Sequence, residues 1–161
     1  LAERGAGEWD RVLAVAFPDT QMQVLPYHRV VRDLHGHTAD SFLAALAGRA
    51  RVRPGGPAAP ARRGEVAMRL GGAWHTLEFG ASETLDVDVL EREVLTPLLG
   101  ITDVRTDTRI EFVGGIRGTA ELYPVTMDDL MRIADAGGIM PPKSTWFEPK
   151  LRDGLLSHVI A

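Results

Sequence analysis

Residues 65–79, EVAMRLGGAWHTLEF, decide the fold class. Two runs, EVAMRL and AWHTLEF, alternate apolar and polar residues with the period of a half-buried strand, and Gly71-Gly72 stand between them. A two-residue loop can reverse a chain only with positive φ angles, which glycine adopts without steric cost. The segment therefore predicts an antiparallel hairpin. Upstream, Pro54 to Ala61 (PGGPAAPA) reads as a surface connection. Before it, Thr38 is placed to cap a short amphipathic helix whose Phe42, Leu43, Leu46 and Ala47 share one face. Gln21 to Val31 (QMQVLPYHRVV) reads as a strand carrying an edge or bulge at Pro26. Arg11 to Phe17 (RVLAVAF) has the unbroken apolar profile of a strand buried on both faces.

Downstream, Asp86 to Leu99 presents Val87, Leu90, Val94, Leu95 and Leu98 at helical spacing, with Gly100 as a C-terminal cap and Pro97 expected to bend the last turn. Arg109 to Val113 predicts a strand running into Gly114-Gly115. Thr126 caps a helix through Ala136, which Gly137-Gly138 ends, and the closing GLLSHVI (154–160) reads as a last strand. Strands and helices mix without strict βαβ alternation. The expected class is α+β (mixed α/β): a mixed, mainly antiparallel sheet with about three helices packed on it.

The chain has 161 residues, 45% hydrophobic and 25% charged, which is ordinary for one globular domain. A formal charge of −4 supplies no bulk attraction for nucleic acid or an anionic membrane, so neither is expected as a partner. The absence of cysteine excludes disulfides, thiolate chemistry and cysteine-held metals. No apolar run approaches the roughly 20 residues of a membrane-spanning helix, and a cytoplasmic location is expected. Because the sequence opens on Leu1 rather than methionine, residues 1–161 are expected to be a single C-terminal domain or fragment of a longer protein.

Among the 18 cationic residues only Lys143 and Lys150 are lysine, both within MPPKSTWFEPKLRDGL (140–155). Ammonium and guanidinium are not interchangeable: lysine is a compact point charge suited to gripping a phosphate, arginine a planar fork. Gly137 to Ser144 superficially resembles a phosphate loop, but Pro142 has no N–H and a helix precedes it where that motif requires a strand. What remains is an extended loop in which Lys143, Ser144 and Thr145 meet an anion, with Lys150 and Arg152 as a second cationic wall. The alternative is a packing clamp around Trp146 and Phe147 with self-paired surface charges. His28 and Arg29 alternate on the second apolar run, so either can face a site; equally, one is an outward cation and the other a half-buried imidazole. Gly114 to Ala120 offers backbone N–H groups and Arg117 to a phosphate if it opens a helix, or else forms an ordinary loop. His35 and His37, near Asp33 and Asp40, lack a third dedicated metal ligand and read as turn chemistry, so no metal site is predicted.

These segments resemble the bacterial and archaeal family known as domain of unknown function 1015. The matching stretches are LPYHRVV (25–31), DVDVLEREVLTPLLGI (86–101), RIEFVGG (109–115) and, above all, MPPKSTWFEPKLRDGL (140–155). In relatives an Asp-Gly-His-His-Arg segment lies upstream of the first strand, and additional residues separate segments like GGIRGTAEL and YPVT. The resemblance therefore implies a missing N-terminal part as a partner, and a chain gap near Leu122-Tyr123. The upstream motif is similar to that of ParB and sulfiredoxin-like proteins, which include free serine kinases. By that fold-level analogy the family implies a nucleotide- or phosphate-binding protein, part of a kinase for a small-molecule substrate such as serine, using ATP or ADP with Mg2+. His28, Arg29, Arg117, Lys143, Ser144, Thr145, Lys150 and Arg152 would line its substrate and phosphate site. The alternative is a non-catalytic ligand-sensing or structural domain.

Overall fold

The computed structural model describes residues 7, 10–80, 82–114 and 121–150. In chain order they form β1 (Gln23–Leu25), β2 (Tyr27–Val31), α1 (Ala39–Ala47), β3 (Arg51–Pro54), β4 (Glu65–Leu70), β5 (Ala73–Glu78), α2 (Asp86–Leu90), α3 (Thr96–Leu99), β6 (Ile110–Gly114), β7 (Glu121–Leu122), α4 (Met127–Asp135) and β8 (Trp146–Glu148). The fold is α+β, and every strand pair is antiparallel.

The predicted hairpin forms as β4–β5, with Leu70 opposite Ala73 and Gly71 and Gly72 at φ 59° and 86°. It is the centre of a four-stranded sheet in the order β3-β5-β4-β7. Opposite one another on β4 and β5 stand Glu65 and Glu78, an unfavourable pair of like charges. Arginines offset this: Arg62 Nε donates to Glu65 at 3.0 Å, and Arg53 ion-pairs with both carboxylates.

Both predicted N-caps form. Thr38 accepts from the Ser41 N–H, and the Ser41 hydroxyl accepts from the Thr38 N–H; Thr126 and Asp129 do the same for α4. Such a reciprocal box satisfies two donors that a helix start leaves open. Asp86 to Leu99 is helical, as its periodicity predicts, but a π-helical turn (Glu91–Leu95) joins α2 to α3, with the Thr96 N–H reaching the Glu91 carbonyl. A regular helix would drive the Pro97 ring against the Glu93 carbonyl, and the wider turn lies directly upstream of that ring. Gly100 closes the segment at φ 65°.

Leu46, Val66, Leu77 and Ile101 are fully buried, from α1, the hairpin and the residue after the α3 cap. They sit in one apolar cluster with Phe42, Leu90, Leu95 and Leu99. Each such side chain removed from water contributes about 1.5–3 kcal/mol, so this cluster is the main source of stability.

Four expectations need correction. Arg11 to Phe17 is not a strand buried on both faces: it is irregular, with Val12 87% exposed. Its apolar run has no strand partner among the described residues. Gln21 to Val31 is two strands, because Pro26 has no N–H for a ladder; β1 pairs with β8 and β2 with β6. Glu121 and Leu122 are a strand where a helix was expected after the glycine-rich turn. The chain around PGGPAAPA also carries β3, which the reading left out. The expected closing strand at 154–160 lies outside the described residues.

Candidate functional site

A narrow crevice forms where the start of β2, the Arg63-Gly64 turn, the α2 N-terminus, the 122–126 connection and the Lys143-Ser144 loop meet. Its charged lining consists of Arg29, Arg63 and Lys143 against Asp86 and Asp129, and its volume is about 40 Å³. That is room for one or two atoms of water size.

Lys143 takes a left-handed backbone conformation, φ 51°, which lysine rarely adopts. Its ammonium lies 5.6 Å from the centre of the Tyr27 ring. Tyr27 packs on Trp146 at 5.2 Å, and the Lys150 ammonium lies 4.0 Å from the Trp146 ring. The two lysines thus each rest on one ring of a packed aromatic pair, an arrangement favourable to a cation. Among the described residues neither forms an ion pair. Ser144 is buried and its hydroxyl donates to the Pro141 carbonyl at 2.7 Å, which fixes the loop behind Lys143.

Arg29 is only 5% exposed. It donates to the Tyr27 carbonyl at 3.0 Å and to the Lys143 carbonyl at 3.4 Å, and its guanidinium lies 5.2 Å from the Phe112 ring centre. Burial lowers its pKa to about 10, against the opposing pull of Glu91 and Asp88, and it remains cationic at neutral pH. Arg63 donates through Nη1 to Asp129 at 3.1 Å, while its buried Nη2 has no partner among the described residues. Burial works to raise the Asp129 pKa, but the hydrogen bonds from Thr126 and Arg63 prevail and hold it below the usual carboxylate range. Asp86 accepts the Gly64 N–H on both oxygens, at 3.0 and 3.1 Å, and burial pushes its pKa up despite that bond.

Of the residues singled out from sequence, Arg29, Lys143 and Ser144 come together here. His28 and Arg29 are both buried, so β2 presents neither of them to solvent. His28, with an Nδ1 that has no partner among the described residues, is not part of the crevice lining; nor are Thr145 and Lys150. Arg117 and Arg152 lie outside the described residues. His35 and His37 serve local structure: Asp33 accepts the His35 N–H, and the His37 ring contacts the Ser41 hydroxyl. Among the described residues no group of three His, Asp or Glu is placed to hold a metal.

Sequence reasoning missed Arg63, Asp86 and Asp129. Asp129 was visible only as the fourth residue of the Thr126 cap pattern, and Arg63 as part of an Arg-Arg-Gly turn.

Residues 2–98 match the family described as Protein of unknown function (DUF1015). The chain belongs to that family. The matched region holds LPYHRVV and most of the 86–101 stretch, and so the crevice residues Arg29, Arg63 and Asp86; Asp129, Lys143 and Ser144 lie beyond it. No curated protein and no solved structure matches the chain.

Proposed function

We propose that the crevice takes one or two oxygens of a phosphate, carried by a nucleotide or a phosphorylated small molecule, and that this DUF1015 chain supplies the phosphate wall of a nucleotide-dependent phosphotransferase. The observation that carries the reading is the gathering of three cationic residues, Arg29, Arg63 and Lys143, in one lining: among the described residues the Lys143 ammonium has no ion pair, and Arg63, paired with Asp129 through Nη1, has no hydrogen-bond partner at its buried Nη2. Arg29 supports them by holding the Lys143 carbonyl. Phosphoryl transfer depends chiefly on positioning and charge compensation, which preset cations provide. The crevice takes only oxyanion oxygens at its size, so a nucleoside would lie outside it, toward Tyr27 and Trp146.

The serine-kinase form of this proposal rests on the resemblance to ParB and sulfiredoxin-like proteins alone. Asp86 and Asp129, the carboxylates lining the crevice, are engaged by Gly64 and by Arg63 and Thr126, so they do not fit a magnesium site.

A thermal-shift titration of the protein with phosphate, ADP and ATP, with and without magnesium, tests the reading. The expected result is stabilisation that Lys143→Ala, Lys150→Ala abolishes; no shift with any of the three refutes it. Formation of labelled phosphoserine then tests catalysis, and binding without turnover would leave a ligand-sensing module in place of an enzyme.

A further inference from the structure

Arg29 also stands in the wall of a second and much larger space. A cavity of about 450 Å³, half open to solvent, lies between β2, α1, the β4–β5 hairpin and the α2–α3 helical segment. Leu34, Phe42, Val66, Leu77, Leu90 and Leu95 are among its apolar lining. Packed cores leave few voids larger than a water molecule, whereas ligand chambers run to roughly 300–1,000 Å³. This space has the dimensions of a ligand chamber.

Its charges point one way. Arg29 and Arg69 are the charged residues in the lining, both cationic, and no carboxylate is part of it. Arg69 is exposed at the margin, but Arg29 is buried. Charged side chains are almost never fully buried unless paired, because the interior cannot replace their hydration. Among the described residues Arg29 has no ion-pair partner: its hydrogen bonds end on two carbonyl oxygens, and its guanidinium lies over the Phe112 ring. Asp88 and Glu91 act on it only through space.

We propose that this chamber binds a small amphipathic acid, its hydrocarbon or aromatic body among the leucines and valines and its carboxylate on Arg29. A carboxylate matches the edge of a guanidinium and supplies the direct ion pair that Arg29 lacks among the described residues. At roughly 30 Å³ per water-sized group the chamber accommodates about fifteen such groups, the scale of a medium-chain fatty acid. A neutral amphiphile of equal length would leave Arg29 unpaired, and a cationic one would be repelled. The assignment does not rest on the phosphate reading, since the crevice is a different space that shares only Arg29 with this lining.

Calorimetric titration of the protein with decanoate, 1-decanol and decyltrimethylammonium tests it. Decanoate is expected to bind roughly ten- to a hundredfold more tightly than decanol, the range a hydrogen bond to a charged group contributes, with the cation weakest. Arg29→Met keeps the packing volume and should erase the preference for the acid. If that variant does not fold, Leu70→Trp at a half-buried lining position should weaken decanoate and decanol alike while leaving the response to phosphate or ADP unchanged. Equal affinity for acid and alcohol, or no binding of decanoate to the wild-type protein, overturns the proposal. The second result is also what a chamber filled by another part of this chain would give.

Discussion

Asp129→Ala strikes the cap of α4 and the ion pairs of Asp129 with Arg63 and with the more exposed Arg132, and the sizes of these supports can be worked out. The carboxylate accepts from the Thr126 N–H and hydroxyl, at 3.2 and 2.9 Å, and returns the cap of α4. Loss of this returning half of the capping box costs up to about 1 kcal/mol, since the Thr126 hydroxyl still accepts the residue-129 N–H. The same carboxylate is the partner of Arg63, whose side chain is 35% exposed. Breaking a fully buried pair costs roughly 3–5 kcal/mol, but at this exposure solvent screens much of it, leaving about 1–2 kcal/mol. Asp129→Ala should therefore lose about 2–3 kcal/mol in a urea unfolding titration. Asp129→Asn keeps an acceptor for Thr126 and should lose about half as much. A double-mutant cycle with Arg63→Met isolates the pair, and a coupling of about 1 kcal/mol is expected. Additivity within about 0.3–0.5 kcal/mol would show that Arg63 and Asp129 do not act on each other, and the account of the crevice wall would fail.

The pH dependence has a defined sign at Glu65. The hydrogen bond from Arg62, aided by the Ala61 N–H and Arg53 against the effect of burial, holds its pKa below the usual range. A carboxylate with a depressed folded-state pKa stabilises the fold above the unfolded value, about 4.3 for glutamate, and that contribution is lost as pH falls through the folded value. Urea titrations from about pH 6 to pH 3 should show this loss, and Glu65→Gln should flatten it. Gly64→Ala should lower the melting temperature sharply: Gly64 sits at φ 82°, and a Cβ there would meet the Gly80 carbonyl oxygen. The left-handed conformation alone costs a non-glycine residue about 1–2 kcal/mol. Leu46→Ala, at a side chain with no exposure, should cost about 2–5 kcal/mol in the same unfolding assay.

What the sequence made legible is what local chemistry determines. The Gly71-Gly72 turn, the Thr38 and Thr126 caps and the Gly100 stop need no knowledge of distant chain, and each forms where expected. Arg11 to Phe17 has strand composition, yet a strand exists only where a partner ladder does, and periodicity carries no information on partners. The alternative reading of β2, one outward cation beside a half-buried imidazole, does not hold, because His28 and Arg29 are both buried, which alternation alone cannot reveal. Of the lysine pair that drew attention to this loop, Lys143 lines the crevice and Lys150 does not. Arg63 and Asp129, far apart in sequence, become one feature only through tertiary contact at 3.1 Å.

The split at Pro26 shapes the order of assembly. β1 meets β8 with Leu25 opposite Trp146, so the ladder joins the early part of the chain to nearly its last described residues. Closing so long a loop for three residue pairs is entropically unfavourable until the hairpin and the helical core have already shortened it. The Lys143 loop, directly before β8, is therefore put in place late in folding. By microscopic reversibility it is also among the first parts to open, and amide hydrogens of Gln23–Leu25 should exchange faster than those of the hairpin.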